Sequence, residues 1–215
     1  MLMIKIISFD LDGTLVKSTY ADKVWLEGLP TLYSKEKNIP LKQAKERIYK
    51  LYKEVGENKK EWYDIDWWFK KFDLKGSWQN LLKNYRDKIQ LFPETIEILE
   101  ELTNNFKLII LSNAKIEFIE IQLKETKLIP FFEYVFSSLS DFNTVKKTPV
   151  VYKKILSKLK IKPEELVHVG DNKEFDYKSP KKIGIKSIYL NRKKKYRGKH
   201  VIYSLSELKK AIYNY

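Results

Sequence analysis

Apolar residues gather along this chain in short, dense runs separated by longer stretches of helical spacing. The first run, "MIKIISF" at 3–9, places Ile4, Ile6, Ile7 and Phe9 close together with little polar alternation. That pattern suits a strand buried on both faces of a parallel sheet. Similar runs recur as "FKLIILSN" from 106, "YVFSS" from 134, "LVHVG" from 166 and "IKSIYL" from 185. Between them lie helical patterns. "PETIEILEELTNN" opens at Pro93, and "KIEFIEIQLKET" follows the second run. "TPVVYKKILSKLK" has Thr148 as predicted N-cap and Pro149 in its first turn. A short helix is predicted to begin at Ser179-Pro180 and close at Gly184, and Ser204 and Glu207 stand at capping-box spacing before the last one. Strand–helix alternation of this kind predicts a doubly wound, Rossmann-like parallel α/β sheet.

One stretch breaks the alternation. From 17 to 90 the chain reads as helices with no strand: "YADKVWLEGLPTLYSKEK", then "LKQAKERIYKLYKEV" opened by Pro40 and ended by Gly56. "EWYDIDWWFKKF" and "SWQNLLKNYRDKI" continue it, the latter with Ser77 as N-cap. The prediction is an α/β core from 1–16 and 91–215, with an all-helical domain of 17–90 inserted after the first strand.

Composition narrows the picture. With 215 residues, 43% of them hydrophobic and 14% aromatic, the chain can bury one sizeable core and a smaller second one. It has no cysteine, which excludes disulfides, thiolate chemistry and Cys-based zinc sites. No apolar run approaches the roughly 18 residues of a membrane span. Lys5 and Asp10 interrupt the first run, which argues against a signal peptide, so the expected location is the cytoplasm. The net charge of +14 raises the question of nucleic acid. Yet the excess is spread, with 17 basic and 11 acidic residues in 17–90 and 25 against 17 elsewhere. Only four of the basic residues are arginine, the side chain best suited to bidentate base contacts. The cluster "NRKKKYRGK" at 191–199 therefore reads as a solvated surface loop, and neither nucleic acid nor membrane is an expected partner.

The chemistry sits at the ends of the strand runs, where open parallel sheets bind ligands. The first run ends Asp10-Leu11-Asp12-Gly13-Thr14. In extended backbone, residues two apart lean to the same side, so Asp10 and Asp12 form a carboxylate pair. Such a pair raises one of its own pKa values unless a cation lies between its members. Gly13 permits a sharp turn and Thr14 offers it a hydroxyl. The second run ends Ser112-Asn113, "VKKTP" places lysines before a helix, and the fourth ends Gly170-Asp171 with Asp176 five residues on. Several aspartates without nearby histidine or cysteine ligands favour Mg²⁺ over zinc.

Over nearly its whole length, and in the right order, the chain resembles the haloacid dehalogenase superfamily of hydrolases. Asp10, Asp12, Gly13 and Thr14 match its first motif and Ser112 its second. Lys146 matches the third, with Lys147 standing where a proline is frequent, and Gly170, Asp171 and Asp176 match the fourth. The 17–90 insertion resembles the helical cap of its phosphoglycolate phosphatase-like and dehalogenase-like members. The resemblance implies a phosphatase acting on a small phosphorylated metabolite. Asp10 is then the nucleophile, forming an aspartyl-phosphate, and Asp12 the general acid and base. Mg²⁺ is held by Asp10, the carbonyl of Asp12, and Asp171; Gly13, Ser112, Asn113 and Lys146 receive the phosphoryl group; Asp176 orients the metal shell or the lysine.

The alternatives are a 2-haloacid dehalogenase-like hydrolase, a phosphomutase on the same core, or a non-catalytic basic binding module. A dehalogenase needs no leaving-group acid, so Asp12 speaks against it, and the full set of matching positions speaks against a binding module. His168, inside an apolar run, reads as a core histidine. The five tryptophans (Trp25, Trp62, Trp67, Trp68 and Trp78) read mainly as the interior of the insertion. Trp67, Trp68 and Tyr63 are expected to be the ones nearest a substrate, from their density.

Overall fold

A computed structural model describes residues 4–215; Met1–Met3, at the head of the first predicted strand, lie outside the described residues. The five predicted strands form as β1 (Ile6–Phe9), β2 (Lys107–Ser112), β3 (Tyr134–Ser137), β4 (Leu166–Gly170) and β5 (Lys186–Leu190). A sixth, β6 (Val201–Ile202), has only two residues, too few to leave a pattern in the sequence. All pair in parallel in the order β3-β2-β1-β4-β5-β6. After β3 the chain crosses back over β1 to add β4 on its far side. The strand order reverses at that point, which opens a crevice at the carboxyl end of β1.

The pleat sorts the two faces. Ile7, Phe9, Leu108, Ile110, Val167 and Val169 pack under the helices Thr95–Thr103, Ile116–Glu125 and Leu208–Tyr213. Ile6, Ile109, Leu111 and Leu166 face the helix Pro149–Leu159 through Val151, Tyr152 and Ile155. Ser8 and His168 are register partners and so share that second face.

Between β1 and β2 the helical run extends from Thr19 to Lys88. Thr19–Lys23, a wider π-helical turn Val24–Gly28, and Leu29–Glu36 follow one another directly, and Leu41–Val55 comes next. Pro40 is the N-cap of that helix, and Gly56 ends it at φ +74°. A single 3₁₀ turn, Lys60–Tyr63, precedes the helices Ile65–Lys71 and Trp78–Asn84, the second capped by Ser77, whose hydroxyl accepts from the Gln79 N–H. The interior of this run is Trp68, Ile48, Ile65 and Leu82, all without exposure. Phe118 from the sheet side joins the same cluster.

The run leaves and re-enters the sheet at one place. Val16 bridges Leu91 in antiparallel fashion. The Lys17 N–H donates to the Gln90 carbonyl at 2.8 Å, and the Phe92 N–H to the Leu15 carbonyl at 3.2 Å.

One smaller expectation is corrected. The helical stretch near Ser179-Pro180 begins earlier, at Lys173, because the Asn172 side chain caps it by accepting from the N–H groups of Glu174 and Phe175. Thr148 holds the N-cap position before Pro149 without a side-chain cap bond. Ser204 and Glu207 form the expected capping box.

Candidate active site

The crevice holds a cavity of about 390 Å³, and Asp10, Asp12, Ser112, Asn113, Lys147 and Asp171 share its floor. The turn after β1 is built for close approach. Gly13 sits at φ +82°, and a Cβ there would stand 2.4 Å from Oδ2 of Asp171. Gly170 is likewise obligatory, since a Cβ would fall 2.3 Å from Oδ2 of Asp176. The Thr14 hydroxyl donates to Oδ2 of Asp10 at 3.3 Å.

Arg192 braces the turn from outside. It donates to the carbonyls of Gly13 and Thr14 at 3.3 and 2.8 Å and pairs with Glu94 at 2.7 Å, while its guanidinium lies 3.4 Å from the Phe92 ring centroid. The sequence places this arginine at the head of a basic surface loop. Residues 193–199 are exposed as expected, but Asn191 is buried and Arg192 is committed to the first motif. That role appears only in the fold, where its side chain meets backbone carbonyls 178 and 179 residues away.

The lysine assignment is corrected by one position. Lys147 is fully buried, and its Nζ lies 2.5 Å from Oδ1 of Asp10 and 2.5 Å from Oδ1 of Asp176. Lys146 points the other way. Its ammonium reaches the Asn58 side chain, stands 3.7 Å from Glu57 and lies 5.0 Å over the Phe175 ring. The Ser179 hydroxyl donates to the Lys147 carbonyl at 2.7 Å, anchoring the backbone at the inward-facing lysine. Lys146 therefore lies outside the crevice, and Lys147 is the lysine that the structure brings to Asp10.

Behind Lys147 runs a buried polar chain. Asp176 receives the Lys147 ammonium and lies 3.2 Å from His168 Nε2 on one oxygen, and accepts the Asn172 N–H at 2.8 Å on the other. His168 Nδ1 meets the Ser8 hydroxyl at 2.9 Å, and Tyr152 packs edge-on against the imidazole. His168 is thus a satisfied core histidine, as expected, and it also fixes Asp176.

The charges explain the pKa pattern. Burial raises Asp10 to about 6 despite Lys147. Burial and the neighbouring Asp10 raise Asp12 to about 7. Asp171, which solvent reaches through the crevice but protein crowds on its other sides, rises to about 7 through desolvation, Asp10 and Asp176. Asp176 goes the opposite way, because Lys147 and His168 outweigh the burial that would raise it. Burial lowers His168 and keeps it neutral.

Three crowded carboxylates with raised pKa values form a site whose negative charge Lys147 alone does not balance. Asp10, Asp171 and Asp176 bring oxygens within 4.8 Å of one another, and Oδ1 of Asp12 is buried without a hydrogen-bond partner. Asp10 and Asp171 line the cavity whereas Asp176 lies behind Lys147, so the first two are the carboxylates placed to meet a cation. An all-oxygen set of this kind fits Mg²⁺. On the phosphate side, Ser112 is buried with its Oγ accepting the Ala114 N–H at 3.1 Å, and Asn113 Oδ1 is buried without a partner.

The roof of the cavity comes from the helical run: Trp25, Leu26, Tyr52, Trp62 and Tyr63 line it, with Asp22 at the rim. Tyr63, expected nearest a substrate, lines the cavity. Trp67 and Trp68 do not, and Trp68 is wholly internal. Both stand on the regular helix Ile65–Lys71, whose inner face is turned into the cluster. Trp62 and Tyr63 belong to the 3₁₀ turn before it, which projects over the crevice.

Known proteins resemble this chain in sequence and fold. Among curated proteins, the glyceraldehyde 3-phosphate phosphatase of Methanocaldococcus jannaschii is 28% identical over 201 residues, spanning 87% of this chain and 85% of that protein. The pyrophosphatase PpaX of Bacillus thuringiensis is 28% identical over 176 residues, spanning 79% and 75%. Among solved structures, a HAD phosphatase from Thermococcus onnurineus superposes with a TM-score of 0.83 at 29% identity, covering 96% of this chain and 97% of that one. A 2-haloacid dehalogenase from Pseudomonas syringae pv. tomato shares the fold at 21% identity, with a TM-score of 0.72 and coverage of 98% and 99%. The sequence profile of the haloacid dehalogenase-like hydrolases matches residues 7–190, the span that carries every strand-end residue of the crevice, and the chain belongs to that family.

Proposed function

We propose that the chain is a Mg²⁺-dependent phosphatase that hydrolyses a small phosphorylated metabolite in the cytoplasm. The observation that carries this reading is the placement of Lys147 between Asp10 and Asp176 at the floor of the crevice, with Asp12 beside them. Relatives named as phosphatases, and an acidic Asp12 that a dehalogenase would not need, support it.

The Asp10 carboxylate, one oxygen held by Lys147 and the other by Thr14, attacks phosphorus. The bond from phosphorus to the ester oxygen breaks, and Asp12 gives that oxygen its proton. With a pKa near 7, Asp12 can supply a proton and then reclaim one near neutral pH. As base it takes a proton from water, whose oxygen attacks the phosphoryl group on Asp10 and releases phosphate with the carboxylate restored. Lys147, the Ser112 hydroxyl and the Asn113 backbone N–H stabilise charge on the transferring group. Asp10, Asp171 and the carbonyl of Asp12 would hold a Mg²⁺ ion, which would supply positive charge to neutralise the phosphoryl oxygens. Asp176 and His168 hold Lys147 in place. The helical run, 17–90, is a cap that excludes water from the covered site, with its two adjoining connections near Lys17 and Gln90 as the hinge.

The test is phosphate release from a panel of phosphomonoesters. Release should require Mg²⁺ and stop in excess EDTA, and Asp10→Asn should lower it by at least about 1000-fold. Full turnover in EDTA, or a near wild-type rate for Asp10→Asn, would overturn the assignment.

A further inference from the structure

The wall opposite the carboxylates is made of rings. Trp25 lies parallel to Phe118, their planes 4° apart and centroids 5.8 Å apart, and it meets Tyr52 edge-on at 6.2 Å. Tyr52 in turn meets Trp62 at 5.7 Å. Tyr52 belongs to the helical interior, meeting Trp68 edge-on at 4.7 Å, whereas Trp25 and Trp62 pack against that interior from its edge. Trp25, Trp62 and Tyr63 keep part of their surface open. Apolar surface gathered on the wall of a cavity is a mark of ligand recognition.

Several of the polar groups on the same wall already have partners. The Tyr52 hydroxyl donates to the Trp25 carbonyl at 3.1 Å. Lys115 pairs with Asp64 at 2.9 Å and lies 4.9 Å over the Trp78 ring. Asp22 accepts from the Ser18 hydroxyl at 3.2 Å. A leaving group rich in hydroxyls would shed its water here and find these donors and acceptors engaged, which costs binding energy. A flat apolar group would gain contact with the ring faces and edges instead.

Building on the phosphatase reading, we propose that the substrate is a phosphomonoester whose alcohol part carries a flat, largely apolar ring, seated against Trp25, Tyr52 and Trp62. The cavity then divides by chemistry. Its floor of Lys147, Ser112 and Asn113 takes the phosphoryl end, and its aromatic roof takes the ring.

Two synthetic esters test this. 2-Phenylethyl phosphate and ethyl phosphate both release a primary alcohol, so their difference in kcat/KM reports the ring and not the leaving oxygen. The wild type should favour 2-phenylethyl phosphate by about tenfold or more, equivalent to about 1.4 kcal/mol. Trp25→Ala and Trp62→Ala should each narrow that ratio severalfold; Trp62 sits on a part-exposed turn, so its variant remains informative if Trp25→Ala does not fold. Equal kcat/KM for the two esters, or a ratio unchanged in folded variants, overturns the proposal. Calorimetry with 2-phenylethylphosphonate and ethylphosphonate, in the presence of Mg²⁺, reads the same preference without turnover. Tighter binding of the phenyl compound supports the aromatic roof even if neither ester is hydrolysed, an outcome that would count against the phosphatase reading alone. Equal binding overturns the roof.

Discussion

The sheet end and the helical run meet at one cavity but are built on opposite principles. At the sheet end, charge is concentrated: Asp10, Asp12, Asp171, Asp176 and Lys147 crowd together, and most of their atoms are buried. In the helical run the charges are dispersed over the outside, and what faces the cavity is mainly ring carbon. A reacting group needs fixed charges whose positions do not relax, and parallel strands with a lysine pinned from behind provide them. A recognition wall needs shape and apolar area, which aromatic side chains on helices and turns provide at low entropy cost. The two halves therefore predict two kinds of mutant.

The sharpest break of the comparison lies in two adjacent residues. Lys147→Met should lower kcat by about 100- to 1000-fold, as loss of one preorganised charge does. Lys146→Met should stay within about twofold, as for a surface change. Steady-state kinetics at a temperature where circular dichroism shows both variants folded would decide, and equal losses would erase the distinction between the inner and outer lysine.

On the helical side, the effect should appear in stability. Trp68→Ala should destabilise the protein by about 3–5 kcal/mol, the usual cost of a buried tryptophan. Trp62→Ala, with part of its ring already open, should cost about 1 kcal/mol. Thermal unfolding of the two variants separates interior from wall, and similar losses would show that the whole aromatic set is structural.

The last comparison concerns pH without metal. Asp10, Asp12 and Asp171 have folded pKa values of about 6, 7 and 7 against an ordinary 3.8. Between those values the folded protein holds protons that the unfolded chain has released, so stability falls as pH rises through this range. The contribution is complete below about pH 4 and gone above about pH 7. Asp176, held low by Lys147 and His168, titrates beneath this window. In EDTA, Tm should therefore decline from pH 5 to pH 8, by about 2–4 °C per kcal/mol. Added Mg²⁺ should raise Tm more at pH 8 than at pH 5. A Tm that is flat in EDTA and insensitive to Mg²⁺ would mean the carboxylates are not in conflict.

Strand ends were readable because their signals are local. Ile6-Ile7, Leu108–Leu111 and Leu166–Val169 announce buried strands, and the polar residue that ends each run falls at the crevice by topology alone. Asp10, Asp12, Ser112, Asn113, Asp171 and Asp176 were all placed in this way, and the structure brings the first five to one cavity with Asp176 just behind. Lys146 and Lys147 were not separable, because both lie in an irregular loop where no periodicity says which side chain turns inward. The bond from Ser179 that anchors the backbone at Lys147 comes from 32 residues away. Density misled in the same manner for Trp67 and Trp68: a regular helix buries its clustered rings, while the brief turn carrying Trp62 and Tyr63 leaves them facing the crevice. Arg192 was hidden by its basic neighbours, which share its charge but not its position.

The bridge between Val16 and Leu91 has a wider consequence. Because the two ends of the helical run are stitched side by side, everything between them is, for the sheet, a single long loop whose closure is already made by a few backbone bonds. The entropy of closing a loop grows only with the logarithm of its length, about 0.6 kcal/mol per doubling. Lengthening, trimming or exchanging the helices beyond this stitch would leave the strand pairing of β1 with β2 and β4 almost untouched. The chemistry of the floor is thereby insulated from changes in the roof, and new specificities can be grafted at Lys17 and Gln90 without rebuilding the sheet.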